Sequence, residues 1–161
     1  MNTPVKPSPS PDTTPIDIPS RMRVRSGLLM TLFGLLIFLV GSRPAFFGLD
    51  RSPVVGFVQI AVFLVGLAVI CIGGYICLTA YWRNGDRTIA ADIGSRLVAT
   101  GYVVAVFAGM ADVFGFGSQV TPRVPVFGPW QATGVQIGEL LITIGFLLLI
   151  PLHMRKKVEE K

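Results

Sequence analysis

Charge is what this sequence has least of. Only 14% of its 161 residues are Asp, Glu, Lys or Arg, and it carries a single histidine. A soluble domain needs a polar surface around its core. With 52% hydrophobic residues the chain has too little polar material to make one, and the class that fits is an all-α integral membrane protein. One histidine, His153, cannot assemble a metal site, and a bis-histidine haem would need a second chain. It reads as a polar residue at the membrane interface. The two cysteines, Cys71 and Cys77, fall in one apolar segment six residues apart. On a helix they point to different faces and cannot bridge each other. Sequence signatures of catalysis are missing too: no G-x-S-x-G elbow, no glycine loop followed by a lysine, no nucleophile with an evident base. The expectation is a non-enzymatic protein with no cofactor and no metal.

What charge there is has an informative placement. The net charge of +5 could point to nucleic acid, but the basic residues flank apolar runs and do not form a face interleaved with aromatics, so nucleic acid is not expected as a partner. Four apolar runs can be traced: Gly27 to Gly41, Val54 to Tyr81, about Ile93 to Phe116, and Trp130 to Leu152. Spanning a hydrocarbon core of ~30 Å takes ~20 apolar residues. The first run is short for this, and Arg25 can snorkel to extend it. Pro53 and Pro129 stand where helices begin, a position at which a missing N–H costs nothing. Trp82 and Trp130 stand at run ends, where interfacial aromatics are expected. Asp92 and Arg96 have the spacing of a helical ion pair.

The runs predict a four-transmembrane-helix bundle lying in the bilayer. Ten basic residues (Lys6, Arg21, Arg23, Arg25, Arg83, Arg87, Arg155, Lys156, Lys157, Lys161) fall on one side and three (Arg43, Arg51, Arg123) on the other. This excess places both termini in the cytoplasm of a cell (plasma or inner) membrane. Residues 1–20, rich in Pro, Ser and Thr, read as a disordered cytoplasmic tail without the early apolar stretch of a cleavable signal peptide. Residues 21–82 form a first hairpin, 83–154 a second, and 155–161 a basic tail. Val58-Gln59-Ile60-Ala61 matches Val135-Gln136-Ile137-Gly138 at an offset of 77, and Ser26-Gly27 aligns with Thr100-Gly101 at an offset of 74. Two tandem hairpins in the same orientation would give that pattern. In this alignment Glu139 matches Val62 and Asp112 matches Phe38.

Lipid does not drive apolar helices together, so packing must come from close backbone approach. Gly34 on the first run, Gly66 and Gly73 on the second, Gly101 and Ala105 on the third, and Gly134 and Gly138 on the fourth supply small-residue stripes for it. Against this background Glu139 stands out. It lies nine residues from Trp130, ~13 Å along a helix and near mid-membrane. A carboxylate facing lipid there would cost roughly 2.5–3.5 kcal/mol, so it should face the protein interior and find a partner or a proton. Gln136 and Thr143 share its face. No cation is within expected reach of it, and no polar cleft is expected around it. Asp112 should continue the small stripe of the third helix near the outer rim, where Arg43, Arg51 or Arg123 could pair with it. Gln59 and Gln136, at similar depth, could bond to each other.

Two functions follow as expectations. One is an accessory or assembly subunit, or a scaffold, that packs through Gly and Ala stripes against another membrane protein or as a homo-dimer. The other is a small proton- or cation-coupled transporter with Glu139 as the coupling carboxyl.

Overall fold

The computed structural model describes residues 21–48, 56–82, 87–116 and 127–151. These form four long helices: α1 (Arg21–Ser42), α2 (Phe57–Thr79), α3 (Ile89–Gly109) and α4 (Pro129–Leu149). Each is long and apolar enough to cross a membrane. At 21 to 23 residues they measure ~32–35 Å. Short 3-10 turns extend the end of α1 (Pro44–Phe47) and of α2 (Ala80–Trp82). No strand occurs among the described residues. The tails, Pro53 and the turn between α2 and α3 lie outside them, as does His153.

Local sequence explains where the helices begin. Gly56 and Gly128 are extended residues immediately before α2 and α4, and Pro129 takes the first turn of α4. Thr88 caps α3 by accepting the Ala91 N–H at 3.3 Å. Gln131 folds back at the start of α4 so that its Oε1 accepts the Gly128 N–H at 2.7 Å, half of a capping box. The third helix ends earlier than its apolar run. Met110 leaves the helix, and the turn closes with Gly115 at φ +80°.

Two hairpins make up the fold. Helix α1 packs along α2 and α3 along α4, and the contact between hairpins, through α2, is far smaller. Glycine sets the intimacy of each hairpin. A Cβ on Gly101 would lie 2.6 Å from the Gly138 carbonyl oxygen, and one on Gly138 would lie 2.6 Å from that of Gly101. Gly94 and Gly145 face each other in the same reciprocal way, at 2.6 and 2.7 Å. In the first hairpin Gly27 and Gly73 do so at 2.9 Å each. Backbones this close leave no room for a side chain at these crossings.

These contacts fix the correspondence between hairpins, and it differs from the one read off the sequence. Gly27 meets Gly73 as Gly94 meets Gly145; Gly34 meets Ile70 as Gly101 meets Ile142; Gly66 meets Phe38 as Gly138 meets Ala105. The offsets are therefore 67 residues for α1 to α3 and 72 for α2 to α4, in place of 74 and 77. Local letter matches mislead here because apolar sequence offers many of them, whereas the interface glycines recur every seven residues on all four helices. A period of seven keeps one seam facing a partner when two helices coil left-handedly. In the structural register Glu139 corresponds to Leu67, Asp112 to Ala45, and Gln59 to Gln131.

The hairpins are fastened to each other at one end. Trp82 is buried, and its indole Nε1–H donates to the Leu149 carbonyl oxygen at 2.8 Å. Trp82 is thus a tie between hairpins, buried where its place at a run end suggests an exposed interfacial anchor, whereas Trp130 is 84% exposed. Leu64, Leu67, Cys71, Val98, Ala105, Ile142 and Leu149 form the shared core. Both cysteines are free, Cys71 within this core. Trp82→Phe should lower unfolding stability by about 1–3 kcal/mol, because it leaves a buried carbonyl without its donor. Denaturant unfolding of the purified chain in mild detergent measures this.

Candidate functional site

At the end opposite the Trp82 tie the hairpins leave a space between them. The space between them is a cleft of about 500 Å³. Three stretches converge on it: the last turn of α1 with Phe38, Gly41 and Ser42, followed by Arg43; the first turns of α2 with Gln59, Ile60 and Phe63; and α4 with Ala132, Val135, Gln136 and Glu139, joined by Phe127 just before it. Since the starts of α2 and α4 meet here and their ends meet at Trp82 and Leu149, the two helices run parallel, and the hairpins share one orientation.

Packing at the closed end shows why the cleft stops where it does. A Cβ on Gly74 would lie 2.8 Å from the Phe146 ring, so that ring lies flush against the α2 backbone. Higher up, Gly109 of α3 lies against Ile60, Leu64 and Val135, closing the back. On the α1 side the wall is aromatic. The Phe38 and Phe63 rings lie 4.6 Å apart with planes tilted by 37°. The Arg43 guanidinium is drawn to the rim, 6.0 Å from the centre of the Phe46 ring.

Of the polar side chains in the cleft, Ser42 donates to the Leu39 carbonyl oxygen at 3.3 Å, whereas Glu139, Gln59 and Gln136 have no partner among the described residues. Glu139 is half-buried, and its carboxylate makes no hydrogen bond or ion pair among the described residues. Neither Gln59 nor Gln136 makes a side-chain hydrogen bond among them, so the expected bond between the two does not form although both line the cleft. Thr143 is exposed, and its hydroxyl donates to the Glu139 carbonyl oxygen at 2.9 Å; it satisfies itself on its own helix and does not serve the carboxylate. Gln136 is exposed as well. The polar edge of α4 thus looks into the cleft and outward, not into the packed core, because the seam on that side is taken by Val135, Gly138 and Ile142. Glu139 lines the cleft, whose walls are mainly apolar, and Arg43 lines it too, although the two form no ion pair.

Asp112 is placed differently from its expectation. With α3 ending at Gly109, Asp112 falls in the turn beyond, half-buried, off the stripe formed by Gly101 and Ala105. It has no ion pair among the described residues, and Arg51 and Arg123 lie outside them. The expected pair on α3 is present: Arg96 and Asp92 are 3.1 Å apart on an exposed face. Its contribution to stability should be under about 1 kcal/mol. Of the small residues, Gly34 fits against Ile70, Gly134 against Ala108, and Gly101, Ala105 and Gly138 meet at one crossing.

Sequence reasoning missed two residues. Gln131 is buried, and its Nε2 has no partner among the described residues. Its position seven residues before Gly138, in the glycine register, was the available signal. Arg43 could be assigned to the cleft only from the way the two hairpins pack together. No group of three or more His, Cys, Asp or Glu that could hold a metal ion occurs among the described residues. Compared with family models, with curated proteins and with solved structures, the chain finds no match in any of the three.

Proposed function

We propose that this chain is a non-enzymatic multi-pass membrane protein, an accessory or assembly subunit whose glycine-fastened hairpins hold the cleft at Glu139 open for a transmembrane segment of another protein. One observation carries this reading. Three hydrogen-bonding side chains, Gln59, Gln136 and Glu139, line one cleft and have no partner among the described residues. Polar groups left unpaired at membrane depth are costly, and an incoming helix with a polar residue would satisfy them. The positive-inside pattern supports a plasma or inner membrane orientation with both termini in the cytoplasm and the cleft facing outward. Purification in mild detergent tests it. A stoichiometric partner should accompany the wild type and Glu139→Gln, whose amide still hydrogen-bonds, and should be lost from Glu139→Leu. Equal retention by all three would overturn the reading.

A second reading is favoured by the shape of the cleft. It reaches mid-span at Glu139 from one end and is shut at the other by Phe146 against Gly74 and by the Trp82 tie. A carboxyl so placed suits coupling of proton or cation movement to a solute. In reconstituted vesicles with a pH-sensitive dye, Glu139→Gln would then abolish proton-linked uptake while leaving the fold intact.

A further inference from the structure

We infer that the cleft is a binding site for a lipophilic, singly charged organic cation, seated with its positive centre on Glu139. The inference rests on the second reading only in taking the cleft to admit a small molecule; it requires no transport.

Four features of the cleft agree on this ligand class. Its volume, about 500 Å³, lies in the range of sites that enclose a drug-sized molecule. The acid within it is unpaired among the described residues and shares the cleft with two side-chain amides, Gln59 and Gln136, which can turn carbonyl oxygens toward a positive charge. The tilted pair Phe38 and Phe63 forms a wall, and aromatic faces attract a weakly hydrated cation. The remaining lining includes Ile60 and Val135, so a small, strongly hydrated ion would lose its water without gaining enough oxygen ligands. An organic cation avoids that loss, because its charge is spread over apolar substituents that the same walls accept.

Charge balance sets the valence. One carboxylate offsets one positive charge. Arg43 at the mouth would repel a second, since its guanidinium is held beside the Phe46 ring and is not neutralised by Glu139.

Tetraphenylphosphonium and tetraphenylborate make a direct test, because they share shape and differ in the sign of charge. Binding would be measured by equilibrium dialysis against the full chain in phosphatidylcholine nanodiscs, with empty nanodiscs subtracted. Saturable tetraphenylphosphonium binding is expected, weakened about tenfold or more by Glu139→Gln and retained largely by Glu139→Asp. Phe63→Leu should weaken it several-fold, and that variant carries the test if Glu139→Gln fails to fold. No saturable binding, equal competition by tetraphenylborate, or unchanged affinity in Glu139→Gln and Phe63→Leu would overturn the inference. Charge-selective binding without proton-linked uptake would uphold it while removing the transport reading. Uptake of another solute without phosphonium binding would do the reverse.

Discussion

Replacing Gly138 with leucine should separate α3 from α4 and cost the chain its compact fold. The Cβ alone would come within 2.6 Å of the Gly101 carbonyl oxygen, 2.7 Å of the Ala105 nitrogen and 2.8 Å of the Ala105 Cβ. Two of these three obstacles are backbone, which cannot turn aside as the end of a long side chain can. Overpacking a well-filled interior costs typically 1–3 kcal/mol. Here the helices must move apart along the whole seam, which also loosens the Gly94–Gly145 contact, so the loss should reach the upper end of that range or exceed it. Gly66→Leu should do the same to the first hairpin, where a Cβ would run into the Phe38 backbone. Gly56 makes the control. A Cβ there meets nothing within 4 Å, and Gly56→Ala should change stability by less than about 0.5 kcal/mol. Thermal unfolding of the three variants in detergent, followed by circular dichroism and size exclusion, checks the ranking. Similar behaviour of Gly138→Leu and Gly56→Ala would mean that the seam is not glycine-dependent.

That seam also shows what could be read before the fold was known. Scarce charge and four apolar runs were enough to indicate four membrane-length helices, because helix length against bilayer thickness is a one-dimensional property. The glycines could be recognised as packing residues for a similar reason: no other residue allows backbones so close. Their register could not be read from short letter matches. The relation between Gly27 and Gly94 becomes evident only when each is seen to face the equivalent residue, Gly73 or Gly145. The same limit applied to Trp82. Its place at the end of a run is equally compatible with a headgroup anchor and a buried tie, and only the Leu149 carbonyl decides between them.

The cleft was the least legible feature, since it is a property of how two hairpins pack together. Glu139 could be singled out because its cost in lipid is large and local. Gln59 could be named only as lying at similar depth to Gln136, and Phe38, Arg43 and Phe63 could not be placed beside Glu139 at all, because α4 alone says nothing about what stands 76 or more residues away in sequence. Asp112 was misplaced for a plainer reason. Apolar residues continue past Gly109 in Ala111, Val113 and Phe114, and hydropathy does not register the turn that Gly115 closes.

Glu139→Leu should make the isolated chain more stable while abolishing the partner retention and phosphonium binding proposed for it. If the carboxyl were an internal strut, leucine would remove a hydrogen bond and destabilise the bundle. Its side chain makes no such bond among the described residues; the Thr143 hydroxyl bonds to its backbone carbonyl oxygen, and leucine keeps that contact. What leucine removes is an unpaired acid near mid-span, a residue costing roughly 2.5–3.5 kcal/mol when placed at the centre of a membrane helix. Glu139 is only half-buried and opens on a cleft, so a gain of about 1–2 kcal/mol is expected, less than the full insertion cost. Residues that conflict with stability are those a working site retains, so stability and activity should move in opposite directions. The measurement is paired: unfolding of the purified chain, and partner retention or phosphonium binding by the same preparation. A Glu139→Leu protein that is less stable than wild type would place the carboxyl among the groups holding the bundle together. It would thereby remove the reason for assigning it a ligand, because a side chain already committed to an internal contact is not free to meet an incoming one.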